Sequence, residues 1–174
     1  GKHMSGTLYA VAVDYPDGYD WKADPVSGHV EGICIVMFAD GVPVLKVPVG
    51  DLYETSSDPQ RLRVRSGHLY TDYTNGTETV IKRDGQEIIR YEGAEEIVSL
   101  EVMDGIIHML CIPSSGAGFV YRTDGKASVE RDTGSLFGPL KIHDGTVGFC
   151  FSNMGFMRLK YIAAVGIFGL IHKY

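Results

Sequence analysis

From Arg61 to Gly138 the chain alternates short apolar runs with turns, and the same series of runs and turns is written twice. Leu62-Arg63-Val64-Arg65 stops at Ser66-Gly67. His68-Leu69-Tyr70-Thr71-Asp72-Tyr73 then runs to Thr74-Asn75-Gly76, Thr79-Val80-Ile81-Lys82-Arg83 runs to Asp84-Gly85, and Gln86 to Tyr91 completes the set. The series returns as Ser99 to Gly105, Ile106 to Ile112, Phe119 to Gly125 and Lys126 to Arg131. Gly105 follows Gly67 by 38 residues and Gly125 follows Gly85 by 40. Period-two alternation broken by Asp-Gly and Asn-Gly predicts strands joined by hairpins. Four short strands per unit of about 40 residues predict an all-β, β-propeller-like array. A β-trefoil, built on repeats of similar length, is the competing architecture.

The flanks extend the array. Thr7 to Tyr15 is a β-prone run stopped by Pro16-Asp17-Gly18, Gly32 to Ala39 is apolar, Asp40-Gly41 is the recurring turn, and Val42 to Val49 is an outer strand. Pro43 and Pro48 place that strand at a sheet edge, where a missing N–H breaks no ladder. The last unit starts near Phe137 and carries Asp144-Gly145 at the expected spacing. Its fourth strand is expected after Val165-Gly166. The expected units are about 5–50, 61–93, 97–132 and 137–174, as one β-repeat domain after a cloning remnant at 1–4. They contain three, four, four and four strands, so the array either closes within the chain or is part of a larger ring. Ile162, Val165, Ile167, Phe168, Leu170 and Ile171 are too apolar for an ordinary outer strand. They are expected to pack on residues 8–13 or to drive self-association.

Composition narrows the function classes. A formal charge of −6 over 174 residues argues against a phosphate-backbone partner, which requires clustered Lys and Arg. The longest apolar run, Ile162 to Ile171, is half the length of a membrane-spanning helix. Cys34, Cys111 and Cys150 give no paired or metal-binding spacing and read as small apolar residues, with a Cys111–Cys150 disulfide as an alternative. The compartment is open; a leader replaced by the cloning remnant would make the protein extracytoplasmic.

The densest candidate chemistry lies in Asp14, Tyr15, Asp17, Tyr19, Asp20, Trp21 and Asp24, joined by Asp72 and Tyr73, whose Asp-Tyr-x-Asn-Gly layout matches Asp14-Tyr15-Pro16-Asp17-Gly18. Trp21 with Tyr15 and Tyr19 would suit stacking on a sugar ring or a peptide. The carboxylates could serve Ca²⁺ but do not follow an EF-hand spacing, so no metal or cofactor is predicted. His29, His68, His108 and His143 match no metal spacing and read as half-buried strand residues. Ser114-Ser115-Gly116 lacks a nucleophile elbow, Glu95-Glu96 reads as a solvated connector, and Asn75-Gly76-Thr77 reads as a hairpin although it satisfies a glycosylation sequon. No catalytic residue is assigned.

These repeated Asp-Gly turns after apolar strands resemble the blades of bacterial exported propeller-like proteins, most closely over residues 61–150. The resemblance implies a binding or scaffolding module that presents loops such as 14–30 to a protein or glycan. The alternative is a glycan-processing enzyme with acidic groups at the mouth of a ring.

Overall fold

A computed structural model describes residues 6–19, 32–49, 62–153, 158–164 and 171–173, with side chains through 152. The described residues form fifteen strands and no helix. β1 (Tyr9–Asp14), β2 (Cys34–Ala39) and β3 (Val42–Pro48) make the first sheet. β4 (Arg63–Arg65), β5 (His68–Thr74), β6 (Glu78–Arg83) and β7 (Gln86–Glu92) make the second. β8 (Glu95–Met103), β9 (Ile106–Pro113), β10 (Phe119–Thr123) and β11 (Lys126–Arg131) make the third. β12 (Ser135–His143), β13 (Thr146–Asn153), β14 (Arg158–Ala164) and β15 (Ile171–Lys173) make the fourth. Each sheet runs in chain order, and β3 lies at an edge as its prolines require. The sheets are open, and no barrel closes among the described strands, which sets aside the β-trefoil. No helix among the described residues is long and apolar enough to cross a membrane.

The turns explain why this sequence makes hairpins. Asp40-Gly41, Asp84-Gly85 and Asp124-Gly125 all have positive φ at both residues, the backbone of a type I′ turn. Ser66-Gly67, Asp104-Gly105 and Asp144-Gly145 adopt it too, between the first and second strands of their sheets. The Asp of the later turn has a second task. Asp84 Oδ1 accepts the Leu69 N–H at 2.9 Å while the Asp84 N–H donates to the Leu69 carbonyl at 2.8 Å. Asp40 grips Leu8, and Asp124 grips Ile107, in the same way. Leu8, Leu69 and Ile107 each lie two residues beyond a glycine, so this double bond fixes the structural register of the repeats.

The chain divides into two compact units, Gly1–Tyr73 with Val80–Ile88, and Thr74–Thr79 with Ile89–Tyr174. In the first, Ile33, Ile35, Met37 and Val49 pack with Leu69 around a core joining the first sheet to β5. In the second, Leu110, Phe119 and Tyr121 of the third sheet meet Leu140, Val147, Phe149 and Phe151 of the fourth. The rings of Phe119 and Phe149 cross edge to face at 5.7 Å. The apolar side chains predicted for the C-terminal strand pair, and their packing on residues 8–13, lie outside the described residues.

Candidate functional site

The loop singled out by the sequence is only partly within the described residues: Asp20, Trp21, Asp24 and His29 lie outside them. Tyr15 and Tyr19 are described, with ring centroids 5.1 Å apart, and both are half-buried against the core of the first unit. They pack on the scaffold. Asp14 and Lys46 form an exposed ion pair at 3.6 Å, and Asp17 is exposed in the turn that Tyr19 closes by donating to the Pro16 carbonyl.

Asp72 and Tyr73 occupy different surroundings from Asp14 and Tyr15. Asp72 is buried in a 2.8 Å ion pair with Arg63 of the neighbouring strand, and Tyr73 carries Lys82 over its ring at 5.2 Å. Counted from the gripped residues, Asp72 lies three positions beyond Leu69 whereas Asp14 lies six beyond Leu8, so the matching pentapeptides do not share a place in their sheets. Among the described residues no strand lies on the side of Asp14 that corresponds to the one from which Arg63 reaches Asp72.

The most developed polar cluster arises where the sequence suggests a solvated connector. Glu95 is buried at the start of β8, and Arg122 of β10 meets it in two bonds: Nη2 to Oε1 at 2.7 Å and Nε to Oε2 at 2.9 Å. The Tyr91 hydroxyl donates to Glu95 Oε2 at 2.9 Å, its ring lies 4.0 Å under the Arg122 guanidinium, and Cys111 Sγ is 3.8 Å from its oxygen. Arg122 Nη1 donates to the Gly125 carbonyl, and Thr79 Oγ1 accepts the Glu95 N–H while donating to the Gly93 carbonyl. Both carboxylate oxygens are therefore occupied by the cluster's own donors.

The electrostatics follow from burial. Desolvation, reinforced by Cys111 and Glu95, holds the Tyr91 hydroxyl far above its usual range. Desolvation and then Glu95 push the Cys111 thiol up as well, which removes it as a nucleophile. Burial works against the Arg122 cation, but the hydrogen bonds and charge of Glu95, with Tyr91 and Cys111, outweigh it and raise its pKa. Cys111 and Cys150 are both free thiols, so the alternative disulfide between them is not made.

The histidines differ among themselves: the His68 side chain, at the start of β5, is 50% exposed, His143 is exposed, and His108 is buried where a half-buried position is expected. His68 Nδ1 lies 2.6 Å from Asp84 Oδ2. His108 Nδ1 lies 2.6 Å from the Tyr121 hydroxyl, whose pKa burial pushes up to about 12, and its Nε2 has no partner. Burial lowers the His108 pKa, with Asp124 opposing, so the ring is neutral.

Asn75, within the sequon, uses Oδ1 to accept from the Thr77 and Glu78 N–H groups, as a hairpin asparagine does. Among the described residues no group of three or more His, Cys, Asp or Glu could hold a metal ion. Glu95 was open to detection, since it precedes Ile97 by two and so shares the buried face of β8. Its partner 27 residues later carries no such signal. Neither a family model, nor a curated protein, nor a solved structure matches this chain.

Proposed function

We propose that the chain is a β-propeller-like, non-catalytic binding or scaffolding module that engages a protein or glycan partner. The observation that carries this reading is how buried charge is used. Glu95 is saturated by Arg122 and Tyr91, and Arg63 pairs with Asp72 inside its own sheet. Such closed pairs order a scaffold; a general acid needs a carboxyl facing substrate with its proton free to move. The pocket between the first and second sheets is lined by Tyr9, Val11, Leu62 and Val64, an apolar wall suited to contact and not to proton transfer. Consecutive four-stranded meanders with face-to-face apolar layers support the propeller-like reading of the fold.

Retention on immobilised glycan and peptide arrays, run beside a panel of aryl glycosides, tests the proposal. Retention without release of the aryl group is expected. Turnover that disappears in Glu95→Gln or Asp17→Asn would replace the module with the glycan-processing enzyme.

A further inference from the structure

The connection between β5 and β6 is Asn75-Gly76-Thr77, three exposed residues. The chain has one other asparagine, Asn153, and a methionine follows it. Asn75 is therefore the asparagine whose following amide carries no side chain to shield it. Gly76 has a φ of +94°, and the space where its Cβ would stand is empty to 4 Å. The turn also arranges the groups around that amide. Asn75 Oδ1 accepts three hydrogen bonds, from the Glu78 N–H at 2.8 Å, the Thr77 hydroxyl at 2.9 Å and the Thr77 N–H at 3.0 Å. Asn75 Nδ2 donates to Glu78 Oε2 at 3.4 Å, and the Gly76 N–H donates to Thr74 Oγ1 at 3.1 Å. Three donors on one carbonyl oxygen draw charge from Cγ and meet the negative charge that gathers on Oδ1 when a nucleophile adds there. Thr74 Oγ1 stands at the proton that the Gly76 nitrogen must give up, and Glu78 faces the Nδ2 that must leave. A hairpin asparagine uses the backbone donors. The Thr77 hydroxyl is an additional one.

We propose that Asn75 is a spontaneous modification site, at which the side-chain amide is lost and the turn is rebuilt around aspartate and isoaspartate. The Gly76 nitrogen forms a bond to Asn75 Cγ, and the Cγ–Nδ2 bond breaks. The Gly76 proton passes through solvent to Nδ2, which departs as ammonia and leaves a succinimide ring. Water then adds to one of the two ring carbonyls. Opening at Cγ gives an aspartate; opening at the backbone carbonyl leaves the chain running through Cγ, one methylene longer. Water is the one co-reactant, and no atom is oxidised or reduced. Either product adds a negative charge to a chain of formal charge −6, beside the Glu78 carboxylate that Arg90 Nη1 holds at 2.6 Å. The longer backbone also displaces Thr77, whose carbonyl accepts the Gly93 N–H at 2.7 Å between β7 and β8. The reaction needs no partner and goes beyond the proposed function, holding whether or not the chain is a binding module.

The test incubates the full chain at neutral pH and body temperature for several weeks and digests samples with trypsin. The fragment of residues 66–82 reports on Asn75 by mass, and a protein isoaspartyl methyltransferase labels the longer isomer. The folded protein is expected to accumulate both isomers, with isoaspartate in excess and Asn153 unchanged. Thr77→Val should slow conversion at least about two-fold, the least that one net hydrogen bond contributes, and Thr77→Ser should restore the rate. In the converted protein the Gly93 amide should exchange faster than in fresh protein. Three results would overturn the proposal. One is a folded protein that stays intact while a synthetic peptide of residues 66–82 converts, which would make the turn a protection. Another is equal conversion in Thr77→Val and the parent, which would assign the reaction to the dipeptide and not to the turn. The third is conversion that leaves Gly93 exchange unchanged, which would mean that the turn is not rebuilt.

Discussion

Asp124 holds Ile107 twice, donating its N–H to the Ile107 carbonyl at 2.8 Å and accepting the Ile107 N–H on Oδ1 at 2.9 Å. The first bond belongs to any residue at that place. The second belongs to a side chain that is short, accepts a hydrogen bond and tolerates the φ of +48° found there. Asp124→Ala should therefore destabilise by about 1–3 kcal/mol, from lost bonding and from the left-handed backbone. Asp124→Asn should cost far less, since asparagine keeps an acceptor and favours that backbone. Urea denaturation distinguishes them; equal losses would show that the side-chain oxygen contributes nothing.

Gly85 illustrates a second demand on the same turns. A Cβ placed on it would lie 2.6 Å from Cγ1 of Val47, and a Cβ on Gly125 would lie 2.6 Å from Cγ2 of Ile89. Glycine is required both for φ and for close approach of the neighbouring outer strand. Gly85→Ala is expected to destabilise by about 2 kcal/mol or more, and Val47→Ala should recover the steric part and leave the φ part. A double-mutant cycle should show a coupling of about 0.5–1 kcal/mol or more. Strict additivity would mean that the outer strand moves aside at no cost.

The turns were legible because their chemistry is local. Asp-Gly at 40, 84 and 124 specifies a backbone that few other dipeptides adopt, and two turns of this kind in each four-stranded unit are enough to count strands. The three-four-four-four count and the edge position of Pro43 follow from the same reading. What the sequence conceals is register after an insertion. Asp14 and Asp72 look equivalent in their pentapeptides, yet only the contact of Asp40 with Leu8 shows that one lies three residues further along its strand. Long-range pairing is concealed too: Glu95 resembles a connector until Arg122, two strands further along the chain, closes on it.

His108 makes a prediction about pH. Its ring is hydrogen-bonded to the Tyr121 hydroxyl, Asp124 acts on it electrostatically, Glu101 is its partner across the strand pair, and burial lowers its pKa below the ordinary 6.5. Below pH 6.5 the unfolded chain binds a proton that the folded chain resists, so this group's contribution to stability is complete above that pH and is lost as the pH falls. The melting temperature is expected to drop between pH 7 and pH 5. In His108→Phe, which leaves the exposed His68 and His143 in place, that drop should be clearly smaller. An unchanged pH profile in His108→Phe would assign the acid sensitivity elsewhere.

The Glu95–Arg122 pair gives the last prediction, and its asymmetry is the point. The two side chains are 7% and 12% exposed, so neither charge can be rescued by water if its partner is removed. Arg122→Met should leave a buried carboxylate with only the Tyr91 hydroxyl and cost about 3–5 kcal/mol at neutral pH. Glu95→Gln keeps the size and one acceptor, so its loss should be smaller, with Arg122 still bonded to the Gly125 carbonyl. Combining Arg122→Met with Glu95→Gln removes both charges, and the double variant should be more stable than Arg122→Met alone. Denaturation curves at pH 7 measure the comparison. A double variant no more stable than Arg122→Met would show that packing beneath Tyr91, and not the buried charge, is what the pair supplies.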